Sequence, residues 1–137
     1  MSDDDIDTDS ISAEILSIFS KLDMKIKNPA LFHRALQHSI NAMATKYDFD
    51  SKMEYPIKNR GDGRGGAIDV VWEYRGVPML AIEIDSAFRR KSLFKLSNFD
   101  CFEKLWVYYG PQKHNGFDDD DLPLDIILLQ CRRKNGY

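Results

Sequence analysis

The chain has 137 residues, 43% hydrophobic and 30% charged, which is enough for one domain with its own core and leaves no apolar run long enough to cross a membrane. A net charge of −3 argues at first against a nucleic-acid partner, but Asp3, Asp4, Asp5, Asp7, Asp9 and Asp118 to Asp121 hold nine of the 22 acids. The remaining 13 acids face 19 basic residues, so the body is net positive. Cys101 and Cys131 match no metal spacing, and the acidic N-terminus is neither a secretory nor a transit signal, so reduced thiols and a cytoplasmic location are expected.

Residues 1–9 read as a disordered acidic tail, and 10–137 as a single domain. Ser10 or Ser12 can cap a helix running to about Leu22, with Ile11, Ile15, Leu16, Ile18 and Phe19 as its apolar stripe. Asn28-Pro29 starts a second helix that reaches about Tyr47 through Leu31, Phe32, Ala35, Leu36, Ile40 and Met43. His33 and His38 are not at i, i+4 spacing and read as ordinary packing or surface histidines. Met53–Ile57 is a first strand, and Pro56 points to a sheet edge or a strand end. A glycine-rich loop, Asn59–Gly66, leads into the strands Gly66–Tyr74 and Val77–Asp85. A third helix is predicted over Ser92–Phe102, then strands over Leu105–Tyr109 and Asp125–Cys131. The order ααβββαββ gives an α/β (α+β) fold, with a central mixed sheet of about five strands flanked by helices.

The two middle strands carry the chemistry. A three-residue turn at Tyr74-Arg75-Gly76, with Gly76 at positive φ, would set Asp69 opposite Ala81 and Glu83 opposite Ala67. One face then carries Ala67, Asp69, Val71, Glu73, Val77, Met79, Ala81, Glu83 and Asp85. The other carries Ile68, Val70, Trp72, Tyr74, Pro78, Leu80, Ile82 and Ile84. A register slipped by one would turn Asp69 into that apolar face, so burial selects the arrangement that gathers the acids. Converging carboxylates repel one another unless a cation joins them, and hard oxygen ligands suit Mg²⁺ or Mn²⁺. An antiparallel sheet with one wet face would give the same pattern without a metal.

In Gly65-Gly66-Ala67-Ile68-Asp69-Val70-Val71-Trp72 followed by Ala81-Ile82-Glu83-Ile84-Asp85, the chain resembles the PD-(D/E)XK nuclease superfamily, which has the restriction-endonuclease-like fold. The resemblance spans roughly residues 31–109 and rests as much on the order of elements as on the short motif. It implies a metal-dependent nuclease that hydrolyses phosphodiester bonds, with DNA favoured over RNA. Asp69, Glu83 and the Ile84 carbonyl would hold Mg²⁺ or Mn²⁺, and Glu54, where many members have an upstream acid, would hold a metal-bound water. The sequence departs from the pattern at Asp85, which stands where the motif lysine is usual and would serve as a further ligand. Lys91 or Lys95 on the following helix would replace that lysine, with Arg89 and Arg90 nearby. Lys58, Arg60 and Arg64 of the glycine-rich loop, together with Arg89 and Arg90, would contact phosphates; Arg132, Arg133 and Lys134 form a further basic cluster. A nuclease that cuts both strands often works as a homodimer. Asp85 in the lysine position also leaves open an inactive nucleic-acid-binding or assembly module of the same fold. An unrelated interaction protein is the third reading.

Overall fold

The computed structural model describes residues 6–111 and 122–134 of the chain. The acidic run Asp118–Asp121 and residues 1–5 of the tail lie outside the described residues. Helices α1 (Thr8–Lys25), α2 (Pro29–Met43) and α3 (Arg90–Ser97) accompany strands β1 (Asp50–Ile57), β2 (Gly66–Tyr74), β3 (Val77–Asp85), β4 (Glu103–Tyr108) and β5 (Ile126–Gln130). The strands form one five-stranded sheet in the order β1-β2-β3-β4-β5. The β1–β2 and β2–β3 pairs are antiparallel, and the β3–β4 and β4–β5 pairs are parallel. The fold is therefore α+β with a mixed sheet.

Several boundaries differ from the sequence reading. Helix α1 starts at Thr8 rather than after Ser10, so 8 and 9 belong to it and not to a disordered tail. The Asp7 carboxylate caps it, accepting from the Ser10 amide (3.1 Å) and the Ser10 hydroxyl (2.7 Å). A carboxylate satisfies the free N–H groups of a first turn and complements the helix dipole as well. Asn28 and Pro29 start α2 as expected, with Leu31 N–H donating to Asn28 Oδ1 at 3.0 Å. The last turn before Tyr47 is a 3-10 turn, closed by Asp48 at positive φ. Helix α3 is shorter than predicted: it stops at Ser97, and the Asn98 side chain bonds back to the Phe94 carbonyl. Pro56 does lie on an edge strand, since β1 has a neighbour on one side only among the described residues.

Two apolar clusters flank the sheet. Ile11, Ile15 and Phe19 of α1 and Phe32, Leu36 and Ile40 of α2 pack on Val70, Trp72, Leu80, Ile82, Ile84, Leu105 and Val107. On the opposite face, Leu93 and Leu96 of α3 pack with Ile68, Val71, Ala81, Trp106 and Tyr108. Burial of Leu or Ile side chains on this scale is worth about 1.5–3 kcal/mol each, and it fixes which face of β3 each residue takes. Glu83 and Asp85 thereby fall on the α3 side.

The β2–β3 turn corrects the predicted register. Tyr74 pairs with Val77, so the turn has two residues, Arg75 (φ 52°) and Gly76 (φ 81°). Such turns match the twist of a hairpin. A bulge then inserts Met79, because Glu73 pairs with Pro78 while Trp72 pairs with Leu80. Pro78 has no N–H for the ladder, which makes this the natural place for an irregularity. The bulge cancels the odd step of the turn, so Ala81 faces Val71 rather than Asp69. One step beyond the Val70–Ile82 pair, Asp69 meets Glu83.

Candidate active site

At Asp69 and Glu83 the backbone ladder gives way to crossed side-chain bonds. The Asp69 N–H donates to Glu83 Oε2 (2.8 Å), and the Ile84 N–H donates to Asp69 Oδ2 (2.7 Å). Each carboxylate thus captures an amide of the opposite strand. The α3 residue Lys95 closes the group: its Nζ lies 2.6 Å from Glu83 Oε1 and donates to the Ala67 carbonyl at 2.8 Å. The Glu83 side chain is 1% exposed and that of Lys95 13%.

These groups open into a polar cavity of about 340 Å³, lined by His33, Asp69, Glu83, Ile84, Asp85, Ser86, Arg89, Lys91, Ser92 and Lys95. Burial raises the Asp69 carboxyl above its usual range, and Asp85's charge adds to this, while the Ile84 amide and Lys95 oppose it. Burial, then the charge of Asp69, pushes Glu83 up to about 8, with Lys95 pulling the other way. One ammonium faces a buried and a half-buried carboxylate and does not neutralise both.

Asp85 is buried, and its Oδ2 accepts from Ser92 Oγ (2.6 Å) and Trp106 Nε1 (2.8 Å). Arg89 Nε stands 3.8 Å from Asp85 Oδ1. Of the two lysines the sequence offered, Lys95 reaches the acids, whereas Lys91 is exposed at the cavity wall. Glu54 does not line the cavity. It has a left-handed backbone (φ 51°) and accepts from Gln37 Nε2 at 3.0 Å, and the same Gln37 nitrogen donates to the Asp69 carbonyl at 2.9 Å. Glu54 therefore braces Asp69 from behind through Gln37.

The basic loop is largely satisfied within itself. Arg60 pairs with Asp62 (2.9 Å), and Asn59 Oδ1 accepts from the Gly61 and Gly63 amides. Asn98 of α3 donates to the Arg60 carbonyl at 3.2 Å, which docks the loop beside the helix that carries Lys95. Lys58, Arg64 and Arg90 are exposed and lie outside the cavity wall; Arg89 lies on it. Arg133 is no part of a phosphate-binding surface. It is buried against Asp23 (2.9 Å), donates to the Ile26 carbonyl and stacks over Phe32.

Sequence reasoning passed over His33, Gln37, Ser86 and Ser92. His33 lines the cavity with Nδ1 2.9 Å from the Tyr109 hydroxyl, not paired with His38. His33 and Gln37 are one helical turn apart, and that spacing was the available signal.

Among the described residues no three His, Cys, Asp or Glu side chains form a ready metal cluster. Two carboxylates still fit a magnesium-like ion, which keeps most of its waters and takes one or two protein carboxylates. Their mutual repulsion and the polar cavity before them are the features such an ion would relieve and occupy. No helix among the described residues is long and apolar enough to cross a membrane. Comparison with protein-family models, curated proteins and solved structures found no match to this chain.

Proposed function

We propose that this chain is a metal-dependent nuclease with the restriction-endonuclease-like arrangement, acting on nucleic acid and on DNA in preference to RNA. The observation that carries the reading is the convergence of Asp69, Glu83 and Lys95 on one polar cavity, with Lys95 supplied by α3 rather than by the strand. Asp69 and Glu83 would hold Mg²⁺ or Mn²⁺. When bound, such an ion supplies Lewis acidity to a phosphoryl oxygen and makes a nearby water more acidic.

The chain's own residues do the rest. Lys95 holds Glu83 in place and presents a positive charge where negative charge builds on the phosphate. Arg89 and Lys91 at the cavity wall attract and seat the phosphodiester backbone. Crossed amide–carboxylate bonds keep Asp69 and Glu83 from reorienting as substrate enters. The test is incubation with plasmid and with single-stranded DNA, with and without Mn²⁺, beside Glu83→Gln. Metal-dependent cleavage by the wild type, lost in the variant, supports the reading; a wild type that cuts neither substrate refutes it.

One observation favours a binding-only module of the same fold: both Glu83 oxygens are already engaged, by Lys95 and by the Asp69 amide. That reading predicts DNA retention without cleavage and no Mn²⁺ binding.

A further inference from the structure

Asp85 occupies the place where the motif would have a lysine, yet the polar groups around its Oδ2 are donors held by the protein. Ser92 Oγ at 2.6 Å belongs to the first turn of α3, and Trp106 Nε1 at 2.8 Å belongs to β4. Helix α3 begins at Arg90, and its N-cap residue Arg89 makes no side-chain capping bond. A buried carboxylate bonded into the first turn supplies the negative charge that such a helix end favours, and it ties the helix to two neighbouring strands at once. Ser92 and Lys95 are three residues apart and so share a helix face. The bond that fixes Ser92 therefore fixes the azimuth and height at which Lys95 meets Glu83.

We propose that Asp85 is a positioning residue rather than a metal ligand: it clamps the start of α3 between β3 and β4 and thereby sets Lys95 on Glu83. The loss of lysine from the strand and the gain of an acid there are then a single device, in which the acid holds the helix that brings the lysine back. Trp106 is part of it, because its buried indole N–H donates to the same Asp85 oxygen that Ser92 uses. The catalytic consequence rests on the nuclease reading, whereas the placement of Lys95 does not.

Lysine acylation followed by mass spectrometry measures that placement without any activity. In the full chain Lys95 is shielded and Lys91, one turn earlier, is exposed and reports reagent dose. Asp85→Ala should raise Lys95 acylation relative to Lys91 by about tenfold, as expected when loss of a charge-assisted hydrogen bond frees a short helix to open locally. Asp85→Asn keeps an acceptor oxygen for both donors but not the charge, and should fall between wild type and Asp85→Ala. Ser92→Ala cuts the helix-side bond alone and should release Lys95 in the same direction, which covers a failure of Asp85→Ala to fold. In the cleavage assay, Asp85→Ala should lower kcat with KM little changed, and Asp85→Asn should restore part of it. Unchanged Lys95 labelling in Asp85→Ala and Ser92→Ala overturns the proposal. So does an Asp85→Asn protein whose Mn²⁺ affinity falls as far as that of Asp69→Asn, since that is how a ligand behaves. A wild type that neither cuts DNA nor binds Mn²⁺ sinks the nuclease reading, and the labelling result still decides the clamp.

Discussion

Glu83 should make the protein less stable as the pH rises through neutrality, and the size of the effect follows from its surroundings. In the unfolded chain its carboxyl ionises near 4.5, whereas in the fold burial and the Asp69 charge hold the proton until about 8. Between those values the folded state binds the proton and the unfolded state does not. Unfolding therefore releases a proton, and stability falls with pH across that window. The contribution is complete below 4.5 and is lost once the pH passes about 8. At about 1.4 kcal/mol per pH unit, the window is worth up to about 5 kcal/mol. Glu83→Gln removes the titration while keeping the shape and the acceptor for the Asp69 amide. Urea unfolding of both proteins from pH 4 to 9 should show the wild type losing stability relative to the variant, with most of the loss between pH 5 and 8. On the proposed reading, Mg²⁺ or Mn²⁺ should restore wild-type stability at the alkaline end, because an ion held by the ionised pair would bind the folded state alone. Parallel stability curves for the two proteins would show that Glu83 titrates as an ordinary carboxyl, and the case for a strained acid pair would go with them.

On the proposed nuclease reading, Lys95→Met should lower kcat for Mn²⁺-dependent DNA cleavage by about 10²–10³ with a modest change in KM, since the lost charge would act on the transition state; steady-state kinetics on a defined oligonucleotide checks this. Lys91→Ala should weaken DNA binding and reduce the slope of log K against log salt by about one, as read by fluorescence anisotropy at several salt concentrations. Arg133→Met removes the guanidinium that faces the buried Asp23 carboxylate and leaves it the Lys134 amide, and urea unfolding should register a loss of about 3–5 kcal/mol.

The sheet was legible because its signals are local. Strands β2 and β3 begin and end at the predicted residues, and Asn28-Pro29 marks the start of α2 where capping rules place it. What escaped the sequence depends on partners distant along the chain. His33 was weighed against His38, but its partner Tyr109 lies 76 residues away. Arg133 looked like one more surface cation in a basic tail, yet its carboxylate, Asp23, is 110 residues upstream in α1. The choice between Lys91 and Lys95 turned on where α3 begins and how it is rotated. That in turn depends on Asp85 and Ser92, a contact between strand and helix that no periodicity reveals.

The acids converge even though the turn was misread, and the reason is parity. Side chains alternate with period two, so any even shift of register leaves the faces as they were. A two-residue turn alone would have shifted β3 by one and driven Asp69 toward Ile82 and Ile84. The bulge at Met79 supplies the second step, and burial is what requires it, because the alternative sets a carboxylate inside the cluster of Trp72, Leu80 and Ile82. The alternation does break once, at Asp69 itself: Val70 packs with α1 and α2, but Ile68 packs with Tyr55 and α3. Opposite lies Glu54 in a left-handed conformation that costs a non-glycine residue of order 1–3 kcal/mol, and Gln37 bonds both residues across the break. The sheet is thus twisted out of regular geometry at the one residue whose carboxylate must turn toward Glu83, and the two hydrogen bonds of Gln37 hold it there.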